Sequence, residues 1–379
     1  MKETISISCV GDLILDEPGP MEPYFEGTRE IIKNEDLMIG HVETPHTKRP
    51  EPSCIDIQAP PSNPDHLDVL KDLGFKITST AGNHSYDCGP NGVIDTLDKL
   101  KSLGIKAIGT GRNIYEAKEA AFVEIKGVKV GALSYNCTGP ELGFATSQKP
   151  GTNYVKVQSA YAPVLDMPGA SVKTYTFILK PVLEKFREEV KALKAQCDIA
   201  VLCIHKGYGG DVPRLLDYEQ ELCYAAIDAG ADIIFAHHHH VLKAVEIYKG
   251  KPIYHGLGNF VCATYAMTAG YNDTPEMVAY LKQRGKEGRG DGHYPVPFYP
   301  WSDVSRYTMI AKVFAAKDGV VKSGFIPCYI EKNGNIVPKY KDNGGEEVLD
   351  FIKKQTSGAG CEVEFSWSED GTYVEMKTR

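Results

Sequence analysis

Ala231-Asp232-Ile233-Ile234-Phe235-Ala236-His237-His238-His239-His240 is the stretch on which the reading of this chain turns. Its first half is an apolar run and predicts a buried strand. Its second half delivers four consecutive histidines to the mouth of that strand, where imidazole is costly to bury without partners. Alternate residues of an extended segment point the same way. His238 and His240 are therefore expected to face one point, and His237 to turn into a structural hydrogen bond. Two neutral imidazoles converging on a point make half of a transition-metal site. A purification tag or a solvated loop is the plain alternative, and the run's internal position in strand-like sequence argues against a tag.

Four other apolar runs also end in metal-binding groups. Residues 4–10 alternate as a strand and reach Gly11-Asp12, and residues 36–40 lead to His41-Val42-Glu43. Residues 76–80 lead to Ala81-Gly82-Asn83-His84, and residues 198–204 lead to His205. Any one of these reads equally well as a turn residue or a satisfied polar group. Five at the same end of successive strands point instead to one site, where open α/β sheets place their ligands. Carboxylate, amide and imidazole together suit Mn, Zn, Fe or Co better than Ca or Mg, so one or two divalent transition metals are expected.

Between these strands, apolar spacing predicts helices over residues 24–34, 66–73, 90–103, 177–195, 218–229 and 346–354. Hairpins are expected over 121–135, 244–254 and 361–376, the first turning at Lys126-Gly127. Residues 136–174 and 262–305 are long irregular insertions rich in Gly, Pro and Tyr, and such loops are functional or mobile. Their tyrosines, Tyr154, Tyr161, Tyr265, Tyr271 and Tyr294, either line a substrate groove or pin the loops down. His46, His66 and His293 read as ordinary loop or helix histidines.

The totals set the class. A chain of 379 residues with 42% hydrophobic and 24% charged residues has the composition of a soluble globular protein. A net charge of -8 argues against nucleic acid or an anionic membrane as the main partner. The ten cysteines include no C-x-x-C pair and several lie in apolar runs, so buried free thiols in a reducing compartment are expected. No leader pattern opens the chain, and no window approaches the ~18 apolar residues of a membrane helix. A cytoplasmic location is the expectation.

Gly11-Asp12, His41-Val42-Glu43, Gly82-Asn83-His84, His205, the histidine run and His255-Gly256-Leu257-Gly258-Asn259-Phe260 together resemble one family. This is the capsule and poly-γ-glutamate synthesis (CapA/PgsA) branch of the calcineurin-like metallophosphatases. The resemblance runs from about residue 5 to 262. It implies an α/β fold, a two-sheet sandwich flanked by helices (αββα), with two long insertions. The expected domain covers residues 1–335, and residues 336–379 form a small α+β extension packed on it. By the same resemblance Asp12, Glu43 and His240 would hold one metal with Glu43 bridging. Asn83, His205 and His238 would hold the second, and His84 would be the acid or base. The family's Asp-x-His has Ile14 in place of its histidine. His41 stands where the branch has Asn, while His239 and His255 stand where it has Pro and Ser. His41, His239, His255 and the neighbouring Lys206 are thus candidates for an extra ligand or a substrate contact.

These residues imply a hydrolase in which a metal-activated water attacks an amide, γ-glutamyl or peptide-like, or a phosphoester, with His84 as acid or base. The expected substrate is a small or peptide-like anion. An epimerase working by α-proton exchange, or a metal-binding scaffold without activity, are the alternative readings.

Overall fold

A computed structural model describes residues 3–16, 18–53, 59–264, 275, 279 and 301–378. Two sheets lie face to face in it. The larger runs in the order Glu364–Trp367, Val374–Lys377, Gly319–Ile330, Tyr307–Ala316, Ile5–Leu15, Leu37–Val42, Phe75–Ser79 and Lys106–Ile108. The strand Asn259–Ala263 joins it beside Ile5–Leu15, and Ile336–Pro338 joins beside Gly319–Ile330. The smaller sheet runs Val245–Tyr248, Lys251–Tyr254, Ile233–His237, Ile199–His205, Val128–Asn136 and Ala121–Ile125.

The apolar runs are continuous because both faces of the inner strands are covered. In Ile199–His205, alternate residues Ile199, Val201 and Cys203 enter the core between the sheets, together with Ile5, Ile7 and Cys9. The intervening Ala200, Leu202 and Ile204 face outward, onto Leu183, Phe186, Val190 and Leu193 of the helix Lys180–Lys194. Leu222, Cys223 and Ala226 of the helix Asp217–Asp228 complete that layer. On the other side, Leu67, Val69, Leu70 and Leu100 bring the helices Asp68–Asp72 and Gly89–Ser102 onto the larger sheet. This is the αββα layering that the resemblance implies. The helix Gly345–Gly358 places Val348, Leu349 and Ile352 in the inter-sheet core, and the last hairpin extends the larger sheet. All nine cysteines among the described residues are free. No helix among the described residues is long and apolar enough to cross a membrane.

Two local readings differ from the sequence expectation, and a third stretch lies mostly outside the described residues. The helix expected over 177–195 starts at Lys180, because Val172–Ile178 is a strand paired with Val157–Pro163, Tyr161 opposite Thr174. That ribbon occupies the insertion read as irregular. Most of its side chains are exposed, so no buried face imposes an apolar alternation on its sequence. Secondly, Asp12 does not follow its strand but lies inside it. Ile5–Leu15 continues past the aspartate by pairing with Asn259–Ala263, and its register against Leu37–Val42 slips between Cys9 and Asp12. Thirdly, the second insertion, with Tyr265, Tyr271, His293 and Tyr294, lies mostly outside the described residues.

The irregularity at Asp12 depends on a close approach. Asp12 N donates to the Gly258 carbonyl at 2.9 Å, and a Cβ on Gly11 would overlap that same carbonyl. Gly11→Ala must therefore push two backbones apart, a change expected to destabilise by about 1–3 kcal/mol or more. Urea unfolding checks it, and an unshifted midpoint would contradict the packing described.

Candidate metal centre

Four strand ends and the interior of a fifth strand, at Asp12, converge on one polar site in the sandwich. Glu43 follows Leu37–Val42, His205 closes Ile199–His205, and His238 and His240 follow Ile233–His237. Asn83 lies four residues beyond Phe75–Ser79. The register sets Asp12 opposite both His41 and Asn259, and His205 opposite His237.

One half of the pocket is acidic. Asp12 and Glu43 are buried, and among the described residues no side chain donates a hydrogen bond to their four carboxylate oxygens. His240 lies beside both, with Nδ1 3.5 Å from Asp12 Oδ2 and Nε2 3.4 Å from Glu43 Oε1. Its Nδ1 also meets Asn259 Oδ1 at 2.9 Å. In the neutral ring that contact keeps the proton on Nδ1, so the Nε2 lone pair faces the Glu43 carboxylate. Two acceptors held this close repel unless a cation lies between them.

The other half is built of imidazole and amide. Asn83 Oδ1 lies 2.7 Å from His205 Nε2 and 3.3 Å from His238 Nδ1, and the two ring nitrogens are 3.1 Å apart. His41 sits between the halves. Ser79 Oγ holds its Nδ1 at 3.1 Å, and its buried Nε2 has no partner. Ligand atoms of Asp12, His41 and His205 lie within 4.8 Å of one another, as do those of Asp12, Glu43 and His240.

The charge states fit a metal. Burial first, then Glu43, pushes the Asp12 carboxyl well above the usual range, and burial pushes Glu43 up to about 7. Burial, reinforced by the neighbouring histidines, holds His41, His205 and His238 well below the usual imidazole value. They are neutral, as ligation requires. Two buried carboxylates with no side-chain donor among the described residues are expensive, and divalent cations are the natural remedy. The donor set of carboxylate, amide and neutral imidazole suits Mn, Zn, Fe or Co.

His84 differs from the other histidines here. It is partly exposed at the rim, with Nδ1 2.7 Å from the buried Asp87. Burial opposes its charge, but Asp87, Glu43 and Asp12 outweigh that and raise it to about 9. It is an acid at neutral pH.

The remaining candidates lie elsewhere. His237 donates to the Val10 carbonyl, at 3.1 Å, and stacks on His41. His239, His255 and Lys206 are buried together around Glu219 and Glu246, behind the histidine loop. His238 and His240 have positive φ, 97° and 56°, so the loop is not extended and the two rings serve neighbouring halves rather than one point. Sequence reasoning assigned no role to Asn259, though it lies in the quoted motif, nor to Asp87, Ser79 and Trp301, whose ring lies 4.5 Å from that of His240. Only Asp87, three residues after His84, carried a local signal.

The family described as "Bacterial capsule synthesis protein PGA_cap" matches residues 6–264. The "PGA biosynthesis protein CapA" of Bacillus subtilis (strain 168) is 28% identical over 270 residues, 68% of this chain and 63% of that protein. The "Capsule biosynthesis protein CapA" of Bacillus anthracis is 26% identical over 274 residues, 68% of this chain and 60% of that protein. The match thus spans less than two thirds of either relative's length.

The unpaired carboxylates make a testable pair. A value raised to about 7 means that Glu43 favours folding below its ordinary 4.5, a contribution lost as pH rises through 7. At pH 8 in chelator, Glu43→Gln should therefore raise stability by more than ~1 kcal/mol. With saturating Mn the order should reverse, because the variant loses a ligand. Melting curves with and without metal decide it.

Proposed function

The chain belongs to the bacterial capsule synthesis family, and on that premise we propose that it is a metal-dependent hydrolase of γ-glutamyl or peptide-like amide bonds. One observation carries the reading. Two buried carboxylates with no side-chain donor among the described residues face a set of imidazoles, and His84, paired with Asp87 at 2.7 Å, stands at the open rim beside them. In this reading Asp12, Glu43 and His240 would hold one ion. Asn83, His205 and His238 hold the other. His41 stands in for the histidine that Ile14 displaces, its Nε2 left available because Ser79 holds Nδ1. Divalent ions bound there supply an activated water near neutral pH and stabilise developing negative charge.

The chain's own side chains do the rest. Asn259 and Ser79 fix the orientation of His240 and His41. His84 donates its Nε2 proton to the departing amine nitrogen, while Asp87 holds Nδ1 and keeps the ring charged until then. Trp301, against His240, gives the site an aromatic wall. The amide substrate is supported by the relatives' names, which concern PGA and capsule biosynthesis.

The test is to incubate Mn- or Zn-loaded protein with γ-glutamyl oligomers and, separately, with an aryl phosphate. Shortened oligomers with little phosphate release are expected. A loaded protein that cleaves neither would overturn the reading, and deuterium entering the α-carbon from D2O without cleavage would replace it with epimerisation.

Two sets of variants follow. Asn83→Ala and His238→Ala should each lower bound metal by elemental analysis, and unchanged content in both would sink the ligand assignment. His84→Ala should keep its metal and lose roughly 10²–10⁴ in turnover. The wild-type rate should fall on the alkaline side as His84 loses its proton, a limb that Asp87 holds above the ordinary imidazole value. Asp87→Asn should move that limb toward the ordinary imidazole value, near 6.5.

A further inference from the structure

Behind the metal centre lies a second cluster that the proposed chemistry does not use. Lys206 and Glu219 are both fully buried and paired at 2.8 Å. Glu219 Oε2 also accepts from His239 Nε2 at 3.1 Å, and its Oε1 accepts from the Leu216 amide at 2.8 Å. Lys206 donates onward to His255, at 3.2 Å to Nδ1 and 3.4 Å to the carbonyl. Each partner sits next to a metal-ligand segment. Lys206 follows His205, His239 lies between His238 and His240, and His255 opens the segment that ends at Asn259, the partner of His240.

The backbone makes room for this arrangement. A Cβ on Gly207 would overlap His239 Nε2 and lie 2.7 Å from Glu219 Oε2. A Cβ on Gly256 would lie 2.8 Å from His239 Nδ1. The His239 ring is thus slotted between two glycines, one from each neighbouring segment. On either side of it, His238 and His240 hold positive φ, a conformation that costs energy in a residue with a Cβ and persists only when its surroundings impose it.

We propose that Glu219, through His239, is a positioning residue that holds the histidine loop in its left-handed form and so aims His238 and His240 at the metals. The inference rests on the metal-centre reading above. It gives one physical role to two departures from the family motif. Where the motif has Pro, whose ring would stiffen the loop, His239 is pinned by its side chain, and His255, where the motif has Ser, receives the lysine that holds Glu219 in place. A buried ion pair is poor evidence for stability but a recognised means of fixing one conformation.

The test compares two substitutions that fill the same slot. His239→Gln keeps a donor that reaches Glu219, and His239→Leu fills the space without one. Metal dissociation constants are measured by chelator competition, with Zn and with Mn, on folded protein. Phe186→Leu, a core change on the far face of the smaller sheet, reports what lost stability alone does to affinity. The expected result is roughly 10–100-fold weaker binding for His239→Leu and near wild-type binding for His239→Gln and Phe186→Leu. Glu219→Gln should also weaken binding, and should add nothing in the His239→Leu background. Equal affinity in His239→Leu and wild type would overturn the positioning role, as would equal loss in the Leu and Gln variants. Wild-type protein that binds neither metal would instead overturn the metal-centre reading itself.

Discussion

Asp12 and Glu43 are carboxylates buried in the middle of a protein, close enough to repel, and among the described residues no side chain donates to any of their oxygens. Desolvating an anion is among the costliest things a fold can do, and here it is done twice in one pocket. The structure around them is intelligible as provision for positive charge. Among the described residues, neutral imidazoles rather than lysines or arginines close the pocket, a lining suited to cations. Burial keeps those rings unprotonated, and the same burial makes the carboxylates strong partners for a metal.

The sandwich supplies the pocket by leaving strand ends where the two sheets meet. Strands covered on both faces are held in place by apolar packing, so the polar groups at their ends inherit fixed positions without needing rigid loops of their own. The exceptions are instructive. Asp12 needs a slipped register and a glycine pressed against Gly258 to turn its carboxylate into the site. The histidine loop needs two left-handed residues, and the buried ions behind it are the counterpart of that strain. His84, by contrast, stays at the rim, where Asp87 sets its charge from outside the metal pocket. In the proposed function, ligation and proton transfer thus fall in different dielectric environments within a few residues of each other.

Much of this was legible along the chain. The strands at residues 36–40, 76–80 and 198–204 announced themselves as apolar runs, because a strand buried on both faces tolerates little else. Their terminal ligands stood out because Glu, Asn and His are rarely placed at such points together. The ribbon of residues 157–178 was invisible for the opposite reason, since a segment with both faces in water carries no burial pattern. Asn259, Ser79 and Trp301 escaped notice because each acts on a residue far away in sequence, and nothing local marks an amide, a hydroxyl or an indole as the partner of a distant histidine.

The sequence by itself determined the apolar runs of the inner strands and the set of candidate metal-binding side chains, since period and residue type are local properties, while the layering came from the family resemblance. Tertiary structure alone decided how those side chains divide. It sent His238 and His240 to neighbouring halves of one centre, turned His237 to the Val10 carbonyl, and drew His239, His255 and Lys206 into a separate buried cluster. The four histidines are chemically identical, and only the surfaces brought against them by other strands make one a ligand and the next a strut.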